Sequence, residues 1–355
     1  MLLCSFFEHL LKLVKDLKYN MNCKFIPFVK ISHKEWNNSI EKMDGHTHLY
    51  NTNFINYYCA FSKINNHSFL VEYENNFIAA VILAVNKSKK VLIYGYDFGY
   101  CPSPIFLKKL RPSLKRKFLK LIINYIKNLD TNIKEINFFN HPIVTSGSKP
   151  EISSKNQFDL IQFSKKDSVI NTFVVNLSLT LEELNFNLSK YHKRNILRSS
   201  KKLKFNIFNG NNFELLQKKF DEFKFLHFKS AGKKTRPDKT WDIMLNNILS
   251  NNGILFSCSA NNSEISYLYC GLYKKFSWGW SQVNDKDFEK KFMPRHFLEW
   301  NAILYFKKKG FKYYELGENY KVANQNFSQK EISISEFKEK YGTEMYPKSF
   351  FNIKV

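Results

Sequence analysis

One order of elements occurs twice along this chain, and it limits the possible fold more than any other feature. In the first half, "SFLVEY", "NFIAAVILAV" and "KVLIYGY" are apolar runs of strand length. They are separated by Glu74-Asn75-Asn76 and by Asn86 to Lys89, short polar links of the kind that join antiparallel strands. "RPSLKRKFLKLIINYIKNL" then has helical spacing with Pro112 near its start, and "IKEINFF" follows as a strand. In the second half, "ILFSCSA", "EISYLYCGLY" and "KFSWGWSQV" are again three strands with short turns. "MPRHFLEWNAILYFKKKG" is again a helix, with Pro294 near its start and Gly310 at its end, and "KYYELGE" closes the unit. Proline suits the first turn because its missing N–H has no helical partner there, and glycine suits the left-handed residue after the last turn. The repeat predicts an α/β (α+β) fold of two similar halves, two mixed antiparallel sheets with flanking helices.

Helices also precede the strands of the second half. The segment 180–202 opens with a Thr180-x-x-Glu183 capping box. In 212–229, Phe213, Leu216, Phe220 and Phe223 recur at helical spacing. A shorter helix is expected from Pro237, with Trp241, Met244, Leu245 and Ile248 facing inward and a left-handed stop at Asn252-Gly253. The most polar stretch, "TSGSKPEISSKNQ", puts the boundary between halves near 145–170. We therefore expect domains at 21–165 and 166–355, preceded by an amphipathic helix over 1–20 that packs on the domain or touches a membrane surface.

The chain has 355 residues, 44% of them hydrophobic and 17% aromatic, enough for a large core. Its net charge of +24 suits a phosphate-bearing or polyanionic partner, although a Lys-, Asn-, Ile- and Phe-rich composition also arises from an AT-rich genome. The six cysteines form no CxxC pair, which points to free thiols in a reducing, cytoplasmic setting and to no metal site. His46-x-His48 with Cys59 and His67 nearby matches no standard zinc spacing. No apolar run approaches the ~20 residues that span a bilayer.

Several groups stand out as candidates for binding. Lys190, Arg194, Arg198 and Lys201 fall on one helical face, a stripe fit for phosphates or simply a solvated surface. "LHFKSAGKKTRPDKTWD" places Lys233, Lys234 and Arg236 just before a helix start, with His227 at the preceding helix end. A guanidinium there can take a carboxylate or phosphate bidentately. In "WGWSQV" the period of two puts Trp278, Trp280 and Gln282 on one face.

Longer motifs carry a family resemblance. "LSKYHKRNILRSSKKLKFNIF", "LHFKSAGKKTRPDKTWDIM", "KKFMPRHFLEWNAILYFKKKGFKYYELGE" and "EISISEFKEKYGTEMYP" resemble the FemAB-like, acetyltransferase-like group built on a duplicated GNAT fold. The match covers about 170–350 well and the first half in outline. The resemblance implies a degenerate first GNAT-like domain and a second one carrying the motifs. It implies amide formation: an acceptor amine attacks an activated acyl group, with acyl-CoA or aminoacyl-tRNA as co-substrate and no tightly bound cofactor. The acceptor would be a nucleotide- or lipid-linked cell-envelope precursor, such as an amino sugar of a surface glycan. Transfer from tRNA to a peptidoglycan precursor and a non-catalytic RNA-binding module are the alternatives. Removing the amine proton is the chemical demand. Glu318 is the first choice for it, ahead of Glu299 and His227. Arg295 and Lys338 would join the basic groups on the donor, and Tyr341 the acceptor groove. Two departures stand against the family pattern. "EKKFMPRHF" lacks the glycine-rich pyrophosphate loop of ordinary GNATs, and no heptad run marks a coiled coil.

Overall fold

A computed structural model describes residues 22–86, 91–92, 99–129, 135–146, 149–153, 159–321 and 327–354. The amphipathic stretch 1–20 and most of "KVLIYGY" lie outside them. Strands β1 (Cys23–Pro27), β2 (Phe69–Tyr73), β3 (Asn76–Val81) and β4 (Ile105–Leu107), with Met43–Asp44 at the edge, form a five-stranded antiparallel sheet. Helices α1 (His33–Glu41), α2 (Thr52–Ser62) and α3 (Pro112–Leu129) belong to the same half.

The second sheet has twelve strands and runs through both halves. Its strands are β5 (Glu135–Asn140), β6 (Lys166–Asn176), β7 (Lys204–Phe208), β8 (Gly253–Ala260), β9 (Ser263–Tyr273), β10 (Phe276–Asn284), β11 (Tyr313–Glu318) and β12 (Glu344–Lys354). Their order is β7-β8-β9-β10-β11-β6-β12-β5, continued by three short first-half strands, and a fourth, Cys101–Pro102, pairs with β5 off this path. The join is β12, which pairs antiparallel with β6 on one side and with β5 on the other. "NFIAAVILAV" is divided between the sheets: β3 ends at Val81, and Ala84–Asn86 pairs in the larger sheet. Ile82 and Leu83, at the crossing, are fully buried.

Among the described residues, seven helices cover the second half: α4 (Leu181–Asn187), α5 (Lys190–Ser200), α6 (Phe213–Ala231), α7 (Asp238–Leu249), α8 (Lys286–Phe292), α9 (Pro294–Lys308) and α10 (Gln329–Glu339). The single helix expected over 180–202 is two. The Thr180–Glu183 capping box is present, but Leu188 turns extended and Ser189 caps a new helix by accepting from the His192 N–H. A serine hydroxyl competes for backbone donors, which makes it a better cap than an interior residue. The expected stop at Asn252-Gly253 falls one residue earlier. Asn251 takes the left-handed conformation (φ 58°), and Gly253 opens β8. Gly232 and Gly310 end α6 and α9 in that conformation, as expected from their positions.

The sheet buries apolar side chains on both faces. On one, Phe256 and Leu268 pack with Leu298, Ala302 and Phe306 of α9. On the other, Tyr269 packs with Phe220, Phe223, Trp241 and Met244 of α6 and α7, and Tyr57 of α2 joins them. Each such side chain removed from water contributes about 1.5–3 kcal/mol. These two layers fix β10 and β11 between them.

Candidate active site

Where β10 and β11 part, the sheet opens. The two strands pair in parallel at only three positions, Phe276↔Tyr313, Ser277↔Tyr314 and Trp278↔Glu315. Beyond Trp278, β10 continues to Asn284 without β11. A bulge lies at the same place, because Tyr269 pairs with Ser281 while Cys270 pairs with Gly279. One extra residue in β10 bends the strand and increases its twist, which turns its free edge away from β11. The gap is a cleft of about 760 Å³.

The cleft wall brings together His227, Arg236, Trp280, Gln282, Arg295, Glu299 and Lys338, all singled out in the sequence. They come from the end of α6, the α6–α7 link, β10, α9 and α10. The bulge corrects one expectation about them. Trp278 and Trp280 do share a face, with ring centroids 5.8 Å apart. Gln282 is on the other. Its cross-strand partner is Leu268, whose side chain is in the α9 core, whereas Tyr269, opposite Ser281, is in the α6–α7 core. Strict alternation breaks wherever an extra residue enters a strand.

Glu299 is the cleft's buried carboxylate, 5% exposed. The Tyr314 hydroxyl donates to its Oε1 at 2.7 Å. Burial raises its pKa, and this outweighs the Tyr314 bond and the charges of Arg295 and Lys338. A carboxylate poised above its ordinary range is a stronger base for an incoming ammonium proton. Burial also lowers Lys338 and Arg295. The Arg295 guanidinium lies over the Phe337 ring at 3.7 Å. Gly317 has φ 108°, and a Cβ there would collide with the Lys338 Nζ.

At the other end, Arg236 donates to the Tyr57 hydroxyl at 3.2 Å, to Met244 Sδ at 3.0 Å and to Ser281 Oγ at 2.9 Å. Its guanidinium is stacked over Trp241 at 4.5 Å. Ser281 Oγ is also 2.9 Å from His227 Nε2. Burial, with Arg236 beside it, lowers His227 to about 4. The ring is thus neutral near pH 7 and shares a hydrogen bond with the Ser281 hydroxyl at Nε2. A base this weak orients Ser281 and Arg236 better than it takes protons.

The remaining candidates lie elsewhere. Glu318 ends β11 outside the cleft wall, with Lys348 of β12 bonded to it at 2.5 Å. Burial alone would raise Glu318, but the Lys348 charge prevails and holds it low. Beside them Glu315 accepts from Thr172 at 2.8 Å and meets His141 of the first half at 3.0 Å. Tyr341 is buried against His296. Trp278 is stacked on His48 at 3.8 Å, and His46 Nδ1 is 2.7 Å from the Tyr273 hydroxyl. Lys190, Arg194 and Arg198 stand exposed on one face of α5, while His192, Asn195 and Ser199 are buried on the other. Lys233 is exposed outside the cleft.

Reading the sequence missed Tyr57, Thr235, Ser281 and Tyr314 at this cleft. Ser281 was hidden by the bulge, and Tyr57 comes from the other half of the chain. Tyr314 had a usable signal: it is a hydroxyl-bearing residue in the apolar strand "KYYELGE", and a buried phenol needs a partner.

No family model and no curated protein sequence matches this chain. Solved structures do. It is similar to FemX, with TM-score 0.60 and 11% identity over 92% of this chain and 96% of that one. It is similar to L-PGS from Bacillus licheniformis, with TM-score 0.57 and 10% identity over 89% and 90%. A tandem GNAT protein from the clavulanic acid biosynthesis pathway gives TM-score 0.51 and 8% identity over 94% and 98%. The chain thus has the tandem GNAT fold that these structures share.

Proposed function

We propose that this protein is an N-acyltransferase that forms an amide on an amino group of a cell-envelope precursor, an amino sugar of a surface glycan being the preferred acceptor. The observation that carries the reading is the divergence of β10 from β11 over a buried carboxylate with raised pKa. An extended acyl-bearing arm can lie along the unpaired edge of β10 and present its carbonyl near Glu299. The acceptor amine loses its proton to Glu299, directly or through water, attacks the acyl carbon and expels the carrier. On this reading 21–165 and 166–355 are the two GNAT-like units, and the second holds the chemistry. The similarity to FemX and L-PGS supports a transferase of this kind.

Acyl-CoA is the donor we favour. Aminoacyl-tRNA is a second reading with an observation of its own. The start of α9, where a GNAT cradles pyrophosphate, offers Met293 (φ 48°) and Pro294, a residue without an N–H. Meanwhile the exposed stripe on α5 has no acidic partner among the described residues, as a polyanion site requires. Thermal-shift titration with acyl-CoAs, UDP-sugars and charged tRNA tests both. Stabilisation by acyl-CoA with a UDP-sugar supports the first reading, and by charged tRNA the second. Stabilisation by uncharged RNA alone, with neither small-molecule class binding, would overturn both. No helix among the described residues is long and apolar enough to cross a membrane. We place the enzyme in the cytoplasm, with residues 1–20 available for the inner membrane surface where a lipid-linked acceptor would reside.

A further inference from the structure

The Arg236 end of the cleft carries a charge that no carboxylate among the described residues balances. A guanidinium has five N–H donors, and three are engaged here, by Tyr57, Met244 and Ser281. None of these acceptors is a carboxylate. Burial raises Tyr57 and lowers His227, so both are neutral near pH 7. Asp238, two residues on, is bound to Lys224 at 3.2 Å and Lys234 at 2.5 Å. Arg236 Nε has no partner among the described residues, although it is enclosed. The hydroxyl of Thr235 and the amide nitrogen of Gln282 are likewise enclosed and unpartnered, and both residues line the same cleft. Buried polar groups without partners are uncommon, and a half-buried cation without a counter-charge is costly. All of these groups can donate, so they call for a ligand that accepts and is negatively charged.

We propose that Thr235 and Arg236 seat an anionic oxygen group of the acceptor, a carboxylate or a phosphate. The "of the acceptor" part rests on the acyl-transfer reading above. Arg236 sits on the α6–α7 side of β10, whereas Arg295 and Lys338 come from α9 and α10. The cleft therefore has two cationic ends. Nε and Nη2 share one edge of the guanidinium, the edge that meets two oxygens of a carboxylate or phosphate in parallel. Tyr57 holds that guanidinium from the first half, so both halves of the chain shape the seat. A neutral sugar hydroxyl would leave the charge unbalanced, and an anionic acceptor would not.

The test is a melting-temperature titration of the full chain with sodium phosphate and, separately, sodium succinate, at ionic strength held constant with sodium chloride. The wild type should show a saturable rise with one of the two, and whichever does so identifies the group. Arg236→Met should abolish the saturable part. Thr235→Val, which removes a hydroxyl with no protein partner, should melt like the wild type without anion and bind roughly tenfold more weakly. Equal saturable shifts in wild type and both variants, or no saturable shift with either anion, overturn the proposal. If Arg236→Met does not fold, the Thr235→Val titration alone decides the question. Glu299→Gln serves as the link to the chemistry and should keep the anion shift. If no donor and acceptor pair turns over yet the shift depends on Arg236, the acyl-transfer reading fails and the anion seat stands. If turnover is found and Arg236→Met titrates like the wild type, the seat fails and the reading stands.

Discussion

Glu299 and Glu318 are both buried glutamates of the second half, yet their neighbours push them in opposite directions. Glu299 faces a neutral phenol at 2.7 Å and is raised by burial, while Glu318 faces an ammonium at 2.5 Å and is held low. A base must be able to take a proton in the working pH range, and a carboxylate locked to a lysine cannot do so readily. Glu299→Gln should therefore lower kcat by roughly 10²- to 10⁴-fold while leaving the melting temperature near that of the wild type. A glutamine still accepts from Tyr314, and a neutral amide suits that buried site. Glu318→Gln should do the reverse. It takes the 2.5 Å carboxylate from Lys348, which is 2% exposed and has Glu315 at 3.8 Å. We expect a loss of about 3 kcal/mol, read by denaturant unfolding, with kcat of the folded fraction kept. Full turnover by Glu299→Gln would remove that residue from the mechanism.

At the scale of elements, the sequence revealed order better than geometry. The strands β8, β9, β10 and β11 and helices α6, α7 and α9 were legible because alternation, 3.6-residue spacing and Pro or Gly punctuation all agreed there. The break at Leu188-Ser189 was not, since Leu184, Leu188 and Tyr191 keep helical spacing across it and mask the new cap. The bulge in β10 was invisible for a similar reason: "WGWSQV" alternates well enough to conceal an extra residue, and only pairing with β9 reveals it. That is why strict alternation puts Gln282 on the face of Trp278 and Trp280, whereas the pairing puts it on the other. The α5 stripe yields an element-scale prediction. Replacing Lys190, Arg194 and Arg198 together with alanine should leave the fold intact, because all three are exposed. If tRNA is the donor carrier, its binding should weaken, and the slope of log K against log salt should become roughly two to three units less steep. If acyl-CoA is the donor, its KM should not change, which would assign the stripe to solvent. Filter binding across a salt series, together with initial rates, separates the two.

The whole molecule carries buried neutral histidines that tie its stability to pH. Burial lowers His46, His192 and His227 to about 4 and His296 to about 3, from an ordinary 6.5. Between about 4 and 6.5 the unfolded chain therefore binds protons at these sites that the folded chain refuses. Stability is full above 6.5 and falls as pH drops through that window, with a slope of up to one proton per histidine. Urea midpoints at pH 7.5, 6.5, 5.5 and 4.5 should decline steadily, and a flat profile would contradict the burial of these rings. The same buried connections should make the two halves unfold together. β12 belongs to the second half in sequence, but it pairs with β5, and Phe350 packs on Tyr100 and Phe139 of the first half with centroids 4.9 and 5.9 Å away. Phe350→Ala should cost about 3–5 kcal/mol. If the shared sheet couples the two halves into one cooperative unit, hydrogen exchange should quicken in β2 of the first half and in β9 of the second by the same factor. If only β2 and its neighbours lose protection, the halves fold independently, and the continuous sheet joins them without coupling them.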